Sequence, residues 1–286
     1  MSYRIITDTC CDFPENMYEE LNLAVVPLTV RFQDKEVSRY SEKWLQKMYA
    51  GMRAGEVATT SAVNPQGWGE VIEPVLAGGQ DALVLTFSSG LSTTYQSAVI
   101  AASELSEKYP DRKIRVVDTL CASLGQGLLV WYACQKRDAG MGFEELADWC
   151  ENNKLNLCHW FTVDDLMFLK RGGRVSAATA LVGTMLQIKP VLHVDDEGHL
   201  INMAKARGRK ASIEALATKV GETGLPGEND TVFISHGDCI EDVEILEAIL
   251  KEKYGVKNVF TYYVGAVIGS HAGPGTLALF FLGSKR

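Results

Sequence analysis

Strand-like segments alternate with helix-like segments along the first two-thirds of the chain, and this constrains the fold more than any other feature. Tyr3–Thr9 is apolar and β-branched, and Asp12-Phe13-Pro14-Glu15 then opens a helix with proline near its first turn. Ala24–Phe32 reads as the next strand. Ser41 caps a helix whose Trp44, Leu45, Met48 and Tyr49 fall at helical spacing. A polar loop over 58–65 follows, then a helix to Leu76, a strand over Ala82–Phe87 and a helix from Ser92. A strand over Ile114–Asp118 and a helix from about Ala122 complete the series. Strands separated by helices of this length pair in parallel, which predicts a doubly wound α/β sheet with its ligand beyond the carboxyl ends of the strands.

The remainder has a different rhythm. Trp160–Val163 reads as a strand and leads to a short helix and Gly172-Gly173-Arg174. Val191–Val194 and Leu200–Ala204 flank Asp195-Asp196-Glu197-Gly198, a hairpin pattern. Helices near 210–221 and 240–253 interleave with strands at Thr231–Ser235, Val259–Ile268 and Thr276–Gly283. This predicts an α+β domain over 159–286 beside an α/β domain over 1–158.

Charge and cysteines narrow the function. With 28 Lys and Arg against 36 Asp and Glu, the net charge of −8 argues against binding led by nucleic-acid phosphates. No apolar run approaches the roughly 20 residues that span a bilayer, and the N-terminus does not read as a signal peptide. Seven scattered cysteines with no CxxC pair support neither a zinc cluster nor a disulfide framework, and they fit a reducing cytoplasm. Adjacent Cys10-Cys11 reads as free thiols in a turn. GxxxxGK[ST], GxSxG and HExxH are all missing, and Gly125-Gln126-Gly127 lacks the third glycine of a dinucleotide loop.

Hydroxyl-rich loops at strand ends stand out instead. Thr86–Gln96 runs from a buried strand into a helix, with Ser92 placed as cap or first-turn residue, where amides and the helix dipole attract an anion or merely start the helix. Thr59-Thr60-Ser61 carries the same two readings. Of the five histidines, His159, His193 and His199 read as structural. His236 is open between roles. His271 lies in Gly269-Ser270-His271-Ala272-Gly273-Pro274-Gly275, a glycine-rich path around one imidazole, and Arg174 follows a glycine pair.

These segments resemble the DegV family of bacterial fatty-acid-binding proteins. Thr7–Pro14 resembles TDSTCDLP, Thr60–Pro65 resembles TSQPSP, and Ser88–Gln96 resembles SSGLSGTYQ. Gly172–Ser176, Ile188–Leu192 and the HxGPG-like His271–Gly275 follow in the family's order, so the likeness runs nearly end to end. It departs at Ala62, Val63 and Asn64, and at Thr93, which stands where the family has glycine. The resemblance implies a Rossmann-like N-terminal domain, a smaller α+β C-terminal domain and a long-chain fatty acid between them. Its carboxylate would be held by Thr60 or Ser61 and by Ser92, with Arg174 and His271 near the head group. A separate ATP-dependent fatty acid kinase would phosphorylate the acid, so the chain itself would be a carrier without a cofactor or metal. Membrane association would then be at most transient contact at a surface. Leu181, Val182, Met185, Leu186, Ile188, Val264, Val267 and Ile268 would line the tunnel or pack the core. The alternatives are a serine hydrolase using Ser92 and His271, with Asp8 or Asp118 as third member, and a carrier or sensor of another apolar acid.

Overall fold

In the computed structural model, which describes residues 3–176 and 187–286, three sheets organise the chain. The first is parallel and four-stranded, with β2 (Ala24–Val26), β1 (Tyr3–Asp8), β6 (Asp81–Thr86) and β7 (Ile114–Asp118) in that spatial order. Ile6 lies opposite Ala24 on one side and Val84 on the other. Its central strands are apolar on both faces because both faces are covered. Ile6, Ala82 and Val84 meet α3 (Pro65–Ala77) and α4 (Thr94–Lys108), while Ile5, Leu83 and Leu85 meet α5 (Leu124–Asp138) and α6 (Phe143–Asn153). This is the doubly wound arrangement that the alternation predicts.

The second sheet is mixed and six-stranded. Its order is β10 (Leu200–Arg207), β9 (Ile188–Val194), β8 (Leu157–Thr162), β13 (Leu277–Leu282), β11 (Thr231–His236) and β12 (Asn258–Tyr263). Only β11 and β12 are parallel. One face, with Val232, Ile234, Leu277 and Leu279, packs on α8 (Arg209–Thr223) and α9 (Ile240–Tyr254). The other, with Phe161, Phe233, Ala278 and Phe280, turns toward α5 and joins the core under the first sheet. Residue 158 lies within β8, the first strand of this sheet in chain order.

Four local expectations are corrected. The run Ala24–Phe32 is two strands, because Pro27 supplies no N–H to continue the ladder. β3 (Thr29–Phe32) therefore leaves the parallel sheet and pairs with β4 (Lys35–Val37) and β5 (Thr59–Ser61) in a small antiparallel sheet. Thr59–Ser61, read as loop, is thus an edge strand. The helix read as starting at Ser92 starts two residues later, at Thr94. Val259–Ile268 is strand only to Tyr263. Gly265 then opens α10 (Ala266–Ala272), where the Ala266 N–H donates to Tyr40 Oη at 2.9 Å. A short apolar run has no periodicity that separates strand from buried helix.

Candidate functional site

The expected head-group residues come from four distant segments. On β5 side chains alternate, so Thr60 turns inward while Thr59 and Ser61 are exposed at the rim. Thr60 Oγ1 lies 2.7 Å from His271 Nε2. His271 stands in the last turn of α10, and a glycine from another segment makes room for its ring by close approach. A Cβ on Gly172 would sit 2.1 Å from His271 Nδ1, so this position in the loop after α7 (Met167–Arg171) must be bare for the ring to fit.

Ser92 precedes α4, and its Oγ accepts the Thr94 N–H at 3.2 Å and lies 2.8 Å from Thr94 Oγ1. Its loop is pinned from below. Buried Asp8 accepts the Phe87 N–H at 2.7 Å, and Asp118 accepts the Ser89 N–H at 3.1 Å. Arg174 braces the same loop: Nε and Nη2 donate to Leu91 O at 3.2 and 2.8 Å, and Nη1 donates to Gly172 O at 2.5 Å. Three of its five N–H groups are therefore held by carbonyls, which fixes the spacing between Ser92's loop and His271's neighbour.

Thr60, Ser61, Ser92, Arg174 and His271 all line one cavity of about 630 Å³ between the two large sheets. That size lies within the range of about 300–1,000 Å³ typical of small-molecule sites. Behind the hydroxyls its wall is largely apolar, with Phe87, Phe161, Phe168, Val267, Ile268 and Phe280. Ile188 is strand. Leu181, Val182, Met185 and Leu186 lie outside the described residues.

Burial, with the Arg174 charge adding to it, pushes His271 down to about 4 from its ordinary 6.5, so the ring is neutral at physiological pH. The mouth thus offers hydroxyls and a neutral imidazole. A hydrolytic triad is not assembled there. Ser92 is bonded to Thr94, His271 to Thr60, and the carboxylates of Asp8 and Asp118 accept backbone amides in the loop that follows β6 and the turns after β1 and β7. Among the described residues no group of His, Cys, Asp or Glu is placed to hold a metal, and no helix is long and apolar enough to cross a membrane.

The other histidines lie elsewhere or serve the frame. His159 Nδ1 is 2.7 Å from Leu157 O and its Nε2 accepts the Ala122 N–H, His193 stacks on Trp160, and His236 packs on Tyr263. Cys10 and Cys11 are buried free thiols whose burial raises their pKa, which makes them poor nucleophiles. Sequence reasoning missed Phe168 and the packing role of Gly172. It also missed Ser123 and Ser235, which carry no local motif and meet only through the fold.

Comparison with known proteins agrees with this architecture. The sequence model described as "uncharacterised protein, DegV family" matches residues 2–284. A DegV domain-containing protein of Clostridium perfringens is 45% identical over 284 residues, covering 99% of this chain and 98% of that protein. A DegV family protein from Thermus thermophilus, described for its fatty acid binding, superposes with a TM-score of 0.88 at 31% identity, covering 99% of this chain and 100% of that one. A DegV family protein of Ruminococcus gnavus, refined with vaccenic acid, gives 0.85 at 26% identity, covering 98% and 99%. With the family's model matched over almost the whole chain and a relative this similar at full length, the chain belongs to the DegV family.

Proposed function

We propose that this chain binds one long-chain fatty acid in the cavity, with the carboxylate at Thr60 or Ser61 and at Ser92 and the tail among the aromatic and aliphatic side chains behind them. The observation that carries the reading is a cavity whose wall is largely apolar and whose mouth gathers hydroxyls beside a neutral histidine. A chain of about fifteen methylenes gains about 0.8 kcal/mol per buried CH₂, or about 12 kcal/mol before ordering costs, so the tail supplies the affinity. The carboxylate needs hydrogen bonds to leave water at all, and hydroxyls supply them.

The same reading makes the chain a carrier subunit. A separate ATP-dependent fatty acid kinase would transfer a phosphoryl group to the exposed carboxylate oxygen, and this chain would hold the acyl phosphate and carry it on. Arg174 commits three of its five N–H groups to Leu91 and Gly172 and keeps the others for a ligand. Arg174 and His271 are the groups we assign to the added negative charge. The two-lobe division near residue 158 belongs to this reading, with the lipid between the lobes.

Native mass spectrometry of the purified protein, followed by gas chromatography of extracted lipid, tests binding. One fatty acid per chain is expected. A clean apo mass that takes up no added fatty acid would refute it. Full acyl-phosphate formation with a cognate kinase by His271→Ala and Arg174→Ala proteins would remove the roles given to those side chains.

A further inference from the structure

The cavity carries polar groups at a second place, away from its mouth. Ser123, just ahead of α5, and Ser235, in β11, both line it and are both buried. Ser123 Oγ donates to Asp12 Oδ2 at 2.5 Å and lies 2.9 Å from Ser235 Oγ. A hydroxyl has one proton. With Asp12 ionised, Ser123 gives its proton to the carboxylate, so Ser235 donates to Ser123. The Ser235 oxygen then keeps its acceptor positions without a donor among the described residues.

Helix α10 measures how far inside this lies. Gly265, at its start, packs against Asp12 Oδ1, and His271 is in its last turn. Six residues of helix rise about 9 Å. Val264, Val267, Ile268 and His271, at i, i+3, i+4 and i+7, line the cavity along this length. An extended chain advances about 1.2 Å per bond, from the 3.3–3.6 Å that three backbone bonds span. The serines therefore stand about seven or eight bonds beyond the Thr60–His271 pair, opposite the middle of a long acyl chain.

We propose that Ser235 and Ser123, backed by Asp12, form a second polar subsite that takes an oxygen carried near the middle of the chain, so that hydroxylated long-chain fatty acids are preferred ligands. The inference rests on the fatty-acid reading above. An unsubstituted chain sets methylenes against the Ser235 oxygen. A mid-chain hydroxyl donates to it and so recovers the hydrogen bond lost on leaving water. A hydroxyl set against the aromatic and aliphatic side chains recovers nothing, so the position of substitution decides the affinity.

The test is displacement of a fluorescent fatty-acid probe by octadecanoic, 2-hydroxyoctadecanoic and 10-hydroxyoctadecanoic acids, with the wild-type and Ser235→Ala proteins. The 10-hydroxy acid is expected to bind wild type at least as tightly as octadecanoic acid. Ser235→Ala should weaken the 10-hydroxy acid about fivefold and leave octadecanoic acid unchanged, which also reports that the variant is folded. A ratio of the two affinities unaltered by Ser235→Ala overturns the subsite while fatty-acid binding stands. Failure of octadecanoic acid to displace the probe from wild type overturns the underlying reading, and the subsite with it.

Discussion

Thr60 Oγ1 and His271 Nε2 lie 2.7 Å apart although 211 positions separate them in sequence. The bond joins the edge strand of the small antiparallel sheet to the last turn of α10, and so closes the mouth of the cavity from two sides. Thr60→Val keeps the shape and removes the hydroxyl. It should lower fatty-acid affinity about tenfold, the effect of one lost hydrogen bond at a charged group, while the melting temperature moves little. Thr60→Ser should restore binding. Fluorescent-probe titration measures both, and unchanged affinity in Thr60→Val would argue against a ligand role for Thr60.

Adjacent glycines separate packing from backbone strain. Gly172 has an ordinary helical backbone (φ −73°), but a Cβ there would meet His271 Nδ1 at 2.1 Å. Gly173 has φ +71° and open space around its Cα. Gly172→Ala should displace the imidazole, cost about 1–3 kcal/mol as overpacking does, and reduce ligand affinity at least tenfold. Gly173→Ala should cost about 1 kcal/mol from its left-handed backbone and leave affinity intact. Urea unfolding and probe titration of the two proteins read the contrast.

Stability responds to pH with two opposed contributions. Burial raises Asp12 to about 7 and Asp8 to about 6, from 3.8. The folded chain then holds protons that the unfolded chain has released, so stability falls as pH rises through about 4 to 7. His271 acts in the other direction. Its unfolded imidazole takes a proton below about 6.5 and the folded one only near 4, so stability falls as pH drops through that window. Asp12→Asn, at a left-handed φ of 53° that asparagine tolerates, should raise the urea midpoint relative to wild type at pH 8 more than at pH 5. His271→Gln should raise it at pH 5 more than at pH 8. Identical shifts at the two pH values would contradict the assignment.

Gly198 fastens the hairpin of the second sheet to the Ser92 loop of the first. Ser88 Oγ donates to Gly198 O at 2.9 Å, Gly198 has φ +79°, and a Cβ there would lie 2.1 Å from Ser88 Oγ. Gly198→Ala should destabilise by about 3 kcal/mol, from the left-handed backbone and overpacking together. Ser88→Ala should cost about 1 kcal/mol, one buried hydrogen bond. Chemical denaturation measures both, and a Gly198→Ala protein as stable as wild type would show that the junction yields freely.

Periodicity and turn chemistry made the parallel sheet, its covering helices and the β9–β10 hairpin legible in the sequence, because those signals are local: alternating apolar faces, Ser41 at a helix start, Gly198 in its turn. The motifs also marked Thr60, Ser61, Ser92, Arg174 and His271 before any coordinates, and the fold brings all five to one cavity. Only the tertiary structure decided that Thr59–Ser61 is a strand, since an edge strand of three residues exists through its partner β3. It alone turned Arg174 toward Leu91 and Gly172, left room for an imidazole by the absence of one Cβ at Gly172, and joined Asp12, Ser123 and Ser235. Apart from Arg174 to Gly172, such contacts link residues about 80 to 110 positions apart. Their energies depend on burial and close approach, which no local pattern of residues encodes.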